Sequence, residues 1–253
     1  MKNIRIIPRL DIKGPNVVKT VHTEGLRVVG NPKIFAQQYY QQGADEIIYL
    51  DIVASLYQRN LDFDQLKSVT ENIFIPFTVG GGIRSIGDIN NALRAGADKV
   101  AINTFAINHP EFLTESAKKF GSQCIVLSVE AKKIGDNSWE AYTDGGRERT
   151  GKDAIEWIKK GIELGVGEIM LTSIDQDGTK KGYDMDLIKG ATSFAPIPVI
   201  VHGGAGTMDD IKNVILEAHA DAVSASSVYH YGIFQINELK NKLVADKINV
   251  RII

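Results

Sequence analysis

The two halves of the chain resemble each other, and this internal repeat restricts the possible folds more than any other feature of the sequence. The repeated segments are GADEIIYLDI from Gly43 and GVGEIMLTSI from Gly165, VGGGI from Val79 and VHGGAG from Val201, and ADKVAIN from Ala97 and ADAVSAS from Ala220. An apolar run that ends in an acid is repeated as well, because IIPRLDIK contains Asp11 and IVLSVEAK contains Glu130. We therefore expect two related halves, about 1–122 and 123–253.

Segments typical of strands alternate with amphipathic segments typical of helices along the chain. The predicted strands are Arg5–Ile12, Glu46–Asp51, Phe77–Val79, Lys99–Asn103, Ile125–Glu130, Glu168–Thr172, Val199–Val201 and Ala222–Ala225. The predicted helices are Pro32–Gln42, Asp64–Asn72, Ile86–Arg94, Glu111–Phe120, Asp153–Leu164, Asp186–Ser193, Met208–Glu217 and Phe234–Val244. Eight such units with a twofold repeat predict an α/β fold, a (β/α)8 barrel, since the other candidate, a doubly wound open sheet, predicts no repeat.

Length and composition agree with one domain, 1–253, because a chain of 253 residues has the usual size of such a barrel and contains no linker-like stretch. A formal net charge of -2 gives no electrostatic reason to expect nucleic acid or a membrane as a partner. No apolar stretch reaches the roughly 20 residues of a membrane span. The single cysteine, Cys124, excludes an intrachain disulfide. We expect a cytoplasmic enzyme of small-molecule metabolism.

Acidic and polar residues lie where the predicted strands end, and in this fold the carboxyl ends of the strands carry the active site. These residues are Asp11, Asp51, Asn103, Glu130, Thr172 and Ser226. Asp11 and Glu130 follow strands on opposite sides of the barrel, so a ligand across its mouth would lie between two carboxyl groups. Such a pair can divide general acid and general base catalysis. Two long segments, a loop at 13–31 and a hairpin at 138–151, are expected to cover the same face.

Glycine-rich loops follow the third and seventh predicted strands, as Gly80, Gly81 and Gly82 and as Gly203, Gly204 and Gly206. Glycine lets backbone N–H groups approach an anion closely, and polar residues after the fourth and eighth strands add donors. The doubled pattern predicts two phosphates at opposite ends of one ligand. The five histidines show no spacing typical of a metal site, so we expect neither a metal nor another cofactor.

Charged residues lie at the starts of four predicted strands, where they would close the bottom of the barrel. They are Arg5, Glu46, Lys99 and Glu168. On spacing alone, a salt-bridge network is the favoured interpretation, and a gate is the alternative. Pro8, inside the first strand, predicts a bend or an unpaired edge position.

Long motifs over nearly the whole chain resemble the cyclase subunit of imidazole glycerol phosphate synthase. They are VVK (17–19), DI.AS (51–55), PFTVGGGI (76–83), GADKVAIN (96–103), FGSQ (120–123), LTSID.DGTK.GYD (171–184), GGAG (203–206) and NVR (249–251). The resemblance implies a (β/α)8 barrel whose acids, Asp11 and Glu130, act on a bisphosphorylated ribulosyl-formimino aminoimidazole carboxamide nucleotide. With ammonia, this substrate would give imidazole glycerol phosphate and an aminoimidazole carboxamide ribotide, in histidine biosynthesis.

The resemblance also implies a partner and a set of binding residues. Ammonia would come from a glutaminase subunit docked on the bottom of the barrel in a heterodimer, with Asp98 at the interface. It would pass a gate made of the four charged residues named above. The implied substrate- and phosphate-binding residues are Lys19, Asp51, Gly81, Gly82, Asn103, Thr104, Thr172, Asp177, Gly178, Gly204, Ala225 and Ser226.

Four departures from the family pattern cluster around the expected ligand and spare the gate. Glu130 stands where the family has aspartate, Arg9 is part of Pro8-Arg9-Leu10 instead of A-C-L, the first loop reads TVHTEGL, and His202 replaces a serine. They leave open a second function, in which the chain is a paralogue of this subunit that channels ammonia for amidation of a surface-polysaccharide sugar. A third possibility is the related single-chain sugar isomerase, which shares the paired acids and two phosphates but has no use for an ammonia gate.

Overall fold

The computed structural model of the protein describes residues 2–252, in which strands and helices alternate. The strands are β1 Arg5–Lys13, β2 Asn16–Val21, β3 Glu24–Gly30, β4 Ile47–Asp51, β5 Phe77–Gly80, β6 Lys99–Ile102, β7 Ile125–Gly135, β8 Ser138–Thr143, β9 Glu148–Asp153, β10 Glu168–Ser173, β11 Val199–His202 and β12 Ala222–Ala225. The helices are α1 Pro32–Gln41, α2 Phe63–Thr70, α3 Ile86–Arg94, α4 Thr104–Asn108, α5 Glu111–Phe120, α6 Ala154–Glu163, α7 Met185–Thr192, α8 Met208–Ala218, α9 Ser227–His230 and α10 Ile236–Ala245. None of the helices within 2–252 has both the length and the apolar character needed to cross a membrane.

Eight parallel strands close into a barrel. Their order is β1, β4, β5, β6, β7, β10, β11 and β12, and β12 pairs with β1 to complete the circle. The predicted (β/α)8 fold is therefore confirmed. The prediction of an edge position for Pro8 is wrong, because β1 pairs with β12 through Pro8 and with β4 from Arg9 onward. Proline, which has no N–H to donate, stands where the pairing passes from one neighbour to the other.

Two antiparallel hairpins extend from the carboxyl ends of β1 and β7. The β8–β9 hairpin was expected from the sequence, and β7 continues past Glu130 to pair with it. Residues 13–31, expected as a loop, instead contain the β2–β3 hairpin. Its turn at His22 and Thr23 has positive φ angles of 52° and 63°, and alternating apolar residues on both sides allow the strands to pair.

Apolar side chains pack in two regions, one between the barrel and the surrounding helices and one inside the barrel. Ile6, Leu10 and Ile12 of β1 point outward and pack against the helices. Ile7 points inward and belongs to a separate cluster, the inner apolar layer, which consists of Ile7, Ile48, Leu50, Ala101, Val126, Met170, Ile200 and Ala222. Because strand side chains alternate between faces, inward positions of β1 also include Arg5 below this layer and Arg9 and Asp11 above it.

Side-chain caps fix where six of the helices begin, and in a barrel of this kind the helices begin on the active-site face. The capping residues are Asn31, Asp62, Ser85, Asp153, Asp184 and Thr207, whose side chains accept hydrogen bonds from backbone N–H groups of the first turn. Each cap fixes the end of a loop that joins a strand to the helix after it. These loops carry site residues, so the mouth of the barrel has a defined geometry.

Candidate active site at the mouth of the barrel

Asp11 lies near the carboxyl end of β1 and is 2% exposed. Arg9, two residues earlier on the same face, donates from Nε to Asp11 Oδ1 at 2.7 Å, and Lys19 Nζ lies 3.7 Å from Oδ2. Burial by itself would raise the pKa of Asp11, but the charges of Arg9 and Lys19 outweigh it and hold this pKa below its ordinary value. The carboxyl group is therefore ionised at neutral pH.

Glu130, on β7, has a different environment. Its carboxyl group accepts a hydrogen bond from the neutral side-chain amide of Asn103, whose Nδ2 lies 3.1 Å from Glu130 Oε2. Burial raises the pKa of Glu130 to about 7, although the charge of Arg9 opposes the shift. At neutral pH a large part of this group is protonated, so it can donate a proton that Asp11 cannot.

Arg9 crosses the mouth above the inner apolar layer. Besides its bond to Asp11, it donates from Nη1 to Thr172 Oγ1 at 3.0 Å, and Thr172 on β10 is the register partner of Glu130 on β7. The guanidinium therefore extends from Asp11 to Thr172, the residue beside Glu130. The sequence analysis noted Arg9 as a departure but assigned it no role, although a cation two residues before an inward-facing acid was a signal for its contact with Asp11.

A buried network joins the β2–β3 hairpin to the loop after β10. Lys19 Nζ donates to Asp177 Oδ1 and Oδ2 at 2.9 and 3.2 Å, and Thr20 Oγ1 donates to Oδ2 at 3.0 Å. His202 contacts the same acid, with Nε2 3.5 Å from Asp177 Oδ1, and its Nδ1 lies 3.1 Å from Ser224 Oγ. Burial by itself would raise the pKa of Asp177. The charge of Lys19 opposes this effect, and the pKa lies far below its ordinary value.

His202 is neutral at physiological pH, because burial and the charge of Arg9 lower its pKa despite the contact with Asp177. It therefore adds no positive charge to the network. Within residues 2–252, no group of three or more histidine, cysteine, aspartate or glutamate side chains is arranged to hold a metal ion.

A cavity of about 190 Å³ opens beside Glu130 and is lined by residues that the sequence predicted to bind a phosphate. They include Asp51, Gly81, Gly82, Asn103 and Thr104. Gly81 has a φ of +97°, and a Cβ there would lie 2.2 Å from the backbone oxygen of Asp51, so only glycine fits. Asp51 itself is paired with Arg59, whose Nη2 lies 2.6 Å from Oδ2, a partner that the sequence analysis missed.

The matching position in the second half of the barrel is almost closed. Six of the other predicted binding residues line a space of only about 10 Å³, and they are Lys19, Asp177, Gly178, Gly204, Ala225 and Ser226. Thr172, the remaining one, lines neither space and accepts a hydrogen bond from Arg9. The Lys19–Asp177 pair lies there, and Ser226 Oγ donates to the backbone oxygen of Arg9 at 2.9 Å. The structure thus brings these residues together in two groups. The first lines an open cavity, and Lys19 and Gly178 of the second group also line a neighbouring cavity of about 420 Å³.

A ring of charges closes the opposite end of the barrel. Arg5 donates to Glu46 at 2.7 Å and also to Glu168, and Lys99 Nζ donates to both acids at 2.8 Å. We call Arg5, Glu46, Lys99 and Glu168 the charged ring. Asp98, at the same end, is exposed, and its Oδ2 accepts from Phe77 N at 2.8 Å.

Comparison with known proteins gives one family. The family described as histidine biosynthesis protein matches residues 5–235. The imidazole glycerol phosphate synthase subunit HisF of Legionella pneumophila is 57% identical over 212 residues, which cover 84% of this chain and 100% of that relative. The subunits of the same name from Streptococcus mutans and Helicobacter hepaticus are 45% and 49% identical, over 98% of this chain and 98% of each relative. The chain therefore belongs to the histidine biosynthesis family, among the HisF-type subunits of imidazole glycerol phosphate synthase.

Proposed function

We propose that the chain is the cyclase subunit of an imidazole glycerol phosphate synthase, and that Asp11 and Glu130 are its catalytic acids. The substrate would be the bisphosphorylated ribulosyl-formimino aminoimidazole carboxamide nucleotide, and the products imidazole glycerol phosphate and the aminoimidazole carboxamide ribotide. The observation that carries this proposal is the unequal environment of two carboxyl groups at one barrel mouth. Asp11 is ionised beside Arg9, and burial raises the pKa of Glu130 to about 7, so that about half of this group is protonated at neutral pH.

This difference suits the addition of ammonia to the keto carbon of the ribulosyl group. The nitrogen lone pair forms the C–N bond, the C=O π electrons move to the oxygen, and that oxygen takes a proton from Glu130. Asp11 accepts a proton from the nitrogen. A base and an acid placed this way typically contribute a factor of about 10² to 10⁴ each to the rate.

The two glycine-lined groups would hold the two phosphates of this substrate. We infer that each half of the chain, about 1–122 and 123–253, supplies one of them within a single domain. Gly81, Gly82, Asn103 and Thr104 line the open cavity, which supports the first site. The second site would use Gly204 and Ser226, and a shift of the β2–β3 hairpin would widen its space of about 10 Å³.

Ammonia would come from a glutaminase partner at the charged ring. The name of the relatives describes a subunit, which supports a partner for this chain. The charged ring and the inner apolar layer lie between the bottom of the barrel and Asp11, so the lumen is the direct route to the acids. We expect Asp98, which is exposed beside the ring, to contact that partner.

Two other functions have weaker support. The relatives reported above carry the name of the histidine-pathway subunit, which favours the cyclase over a protein that channels ammonia to a polysaccharide sugar. The charged ring argues against a single-chain sugar isomerase, which would have no need of an ammonia route.

The proposal is tested by turnover of the bisphosphorylated nucleotide by this chain alone, with an ammonium salt as nitrogen source. We expect imidazole glycerol phosphate to form. Asp11→Asn should lower kcat by about 10² to 10⁴-fold, because the base is lost while Asn can still accept the hydrogen bond from Arg9. Absence of product from the folded wild-type chain would contradict the cyclase, and full activity of Asp11→Asn would contradict the role of Asp11.

A further inference from the structure

Arg9 has more hydrogen-bond donors than its neighbours use. A guanidinium carries five N–H bonds, of which Nε donates to Asp11 and one on Nη1 donates to Thr172. In the described part of the chain, Nη2 forms no hydrogen bond, yet the side chain is only 7% exposed. Nη2 is not fully enclosed by the protein, so its N–H groups can donate to an acceptor on a ligand at the mouth of the barrel.

The place of Arg9 is the centre of the site. On β1 it lies directly above Ile7 of the inner apolar layer and below Asp11. Its second anchor, Thr172, is in register with Glu130, so the guanidinium lies between the two acids. Asp11, Asp177 and Glu130 face it from β1, the loop after β10 and β7. Burial by itself would lower the pKa of Arg9, but the negative charges of Asp11 and Asp177 outweigh it and keep this pKa above its ordinary value.

We propose that Arg9 is a third ligand-binding residue, which donates its free N–H groups to a carbonyl oxygen lying between Asp11 and Glu130. This inference rests on the proposed function, in which the ribulosyl keto group reacts at that place. As the C–N bond forms and the π electrons move to the oxygen, a fixed guanidinium would stabilise the developing negative charge until Glu130 protonates the oxygen.

Charge neutralisation of Asp11 is not a sufficient explanation for this arginine. Lys19 already lies 3.7 Å from the same carboxylate, and it adds a positive charge without any contact to Thr172. The two anchors of Arg9 hold the plane of the guanidinium across the mouth. An orientation fixed before the ligand binds is what a specificity-determining donor requires.

The test compares the affinity of two ligands in the absence of ammonia, by titration calorimetry. One ligand is the bisphosphorylated keto nucleotide, and the other is its analogue in which CH₂ replaces the keto group. Because removing Arg9 alone would leave Asp11 buried without its partner, the variants are Asp11→Asn and the double variant Asp11→Asn with Arg9→Met. Lys13→Met in the Asp11→Asn background, which removes an exposed cation from the end of the same strand, is the matched control.

We expect the Asp11→Asn protein and its Lys13→Met derivative to bind the keto nucleotide about tenfold to a hundredfold more tightly than the analogue. In the double variant with Arg9→Met this preference should fall by about tenfold, and any remaining preference would come from the hydrogen bond of Glu130 to the keto oxygen. An equal preference with and without Arg9→Met, or no preference in the Asp11→Asn protein, would overturn the proposal for Arg9 alone. If the wild-type chain binds neither ligand, the proposed function fails and this inference fails with it.

Discussion

Neighbouring charges decide how the two acids at the barrel mouth behave. Both side chains are buried, so both would become less acidic in an apolar environment. Asp11 has a guanidinium 2.7 Å from its carboxylate and stays ionised, whereas Glu130 has a neutral amide as its partner, and burial raises its pKa to about 7. One barrel mouth thus holds two carboxyl groups whose environments shift their pKa values in opposite directions.

The raised pKa of Glu130 predicts a pH dependence of stability. In the unfolded chain this group should titrate near its ordinary value of 4.5, and in the folded protein near 7. Between these values the folded protein binds more protons, so the free energy of unfolding falls as the pH rises, by up to about 3 kcal/mol. Glu130→Gln removes this loss. Relative to the wild type, its free energy of unfolding should therefore rise by about 3 kcal/mol between pH 4.5 and pH 8.

Urea unfolding at both pH values measures this difference. Glu217→Gln, an exposed glutamate on α8, is the control and should leave the pH dependence unchanged. Equal pH dependence in Glu130→Gln and the wild type would show that Glu130 is not held protonated by the fold.

At the level of strands and hairpins, the space proposed for the second phosphate lies against the β2–β3 hairpin. Lys19 and Thr20 bind Asp177 through their side chains, and His22 N donates to the backbone oxygen of Asp177 at 2.9 Å. These contacts hold the hairpin over the mouth and reduce the space beside Gly204 to about 10 Å³. The hairpin is therefore expected to act as a lid whose latch is Asp177.

Asp177→Asn should loosen this lid. Lys19 would lose a charged partner, and a hydrogen bond to a charged group contributes about 1.5 to 3 kcal/mol. We expect amide hydrogen exchange in β2 and β3 to become about ten to a hundred times faster. The β8–β9 hairpin is the internal control, because it has no contact with Asp177 among the hydrogen bonds of the described residues. Unchanged exchange in β2 and β3 would mean that Asp177 is not the latch.

Local pattern predicted the eight barrel strands and their order, because each is a short apolar run between clear helices. It failed at 13–31, where strand pairing depends on a turn at His22 and Thr23 that has no glycine at those positions. It also failed at Pro8, which lies within the sheet. The Arg9–Thr172 contact joins residues 163 positions apart, so no local signal could have predicted it.

Across the whole molecule, the lumen consists of three layers. The charged ring closes the bottom, the inner apolar layer fills the middle, and Arg9 with the two acids occupies the top. The ring pairs two partly exposed cations with two buried carboxylates, and such a network is weak evidence for stability. Under the proposed function, ammonia would pass the ring and then the inner apolar layer before it reaches the acids.

Lys99→Met tests the role of the ring. With a glutaminase partner, we expect glutamine hydrolysis to continue while product formation from glutamine falls, because the ring no longer controls passage of ammonia. Turnover with an ammonium salt should stay within about twofold of the wild type, since Lys99 is remote from Asp11 and Glu130. Lys118→Met, on the exposed side of α5, is the control. An equal loss with both nitrogen sources would indicate a purely structural salt-bridge network.

The most direct measurement of the division between acid and base is a carboxyl ¹³C NMR titration of the unliganded protein, labelled in aspartate and glutamate. The account predicts one carboxyl resonance that titrates near pH 7 and is absent in Glu130→Gln. It also predicts a second resonance that is absent in Asp11→Asn. This resonance should keep the chemical shift of an ionised carboxylate at pH values below the ordinary aspartate pKa. If no carboxyl group titrates above pH 5, Glu130 is ionised at neutral pH and cannot be the acid.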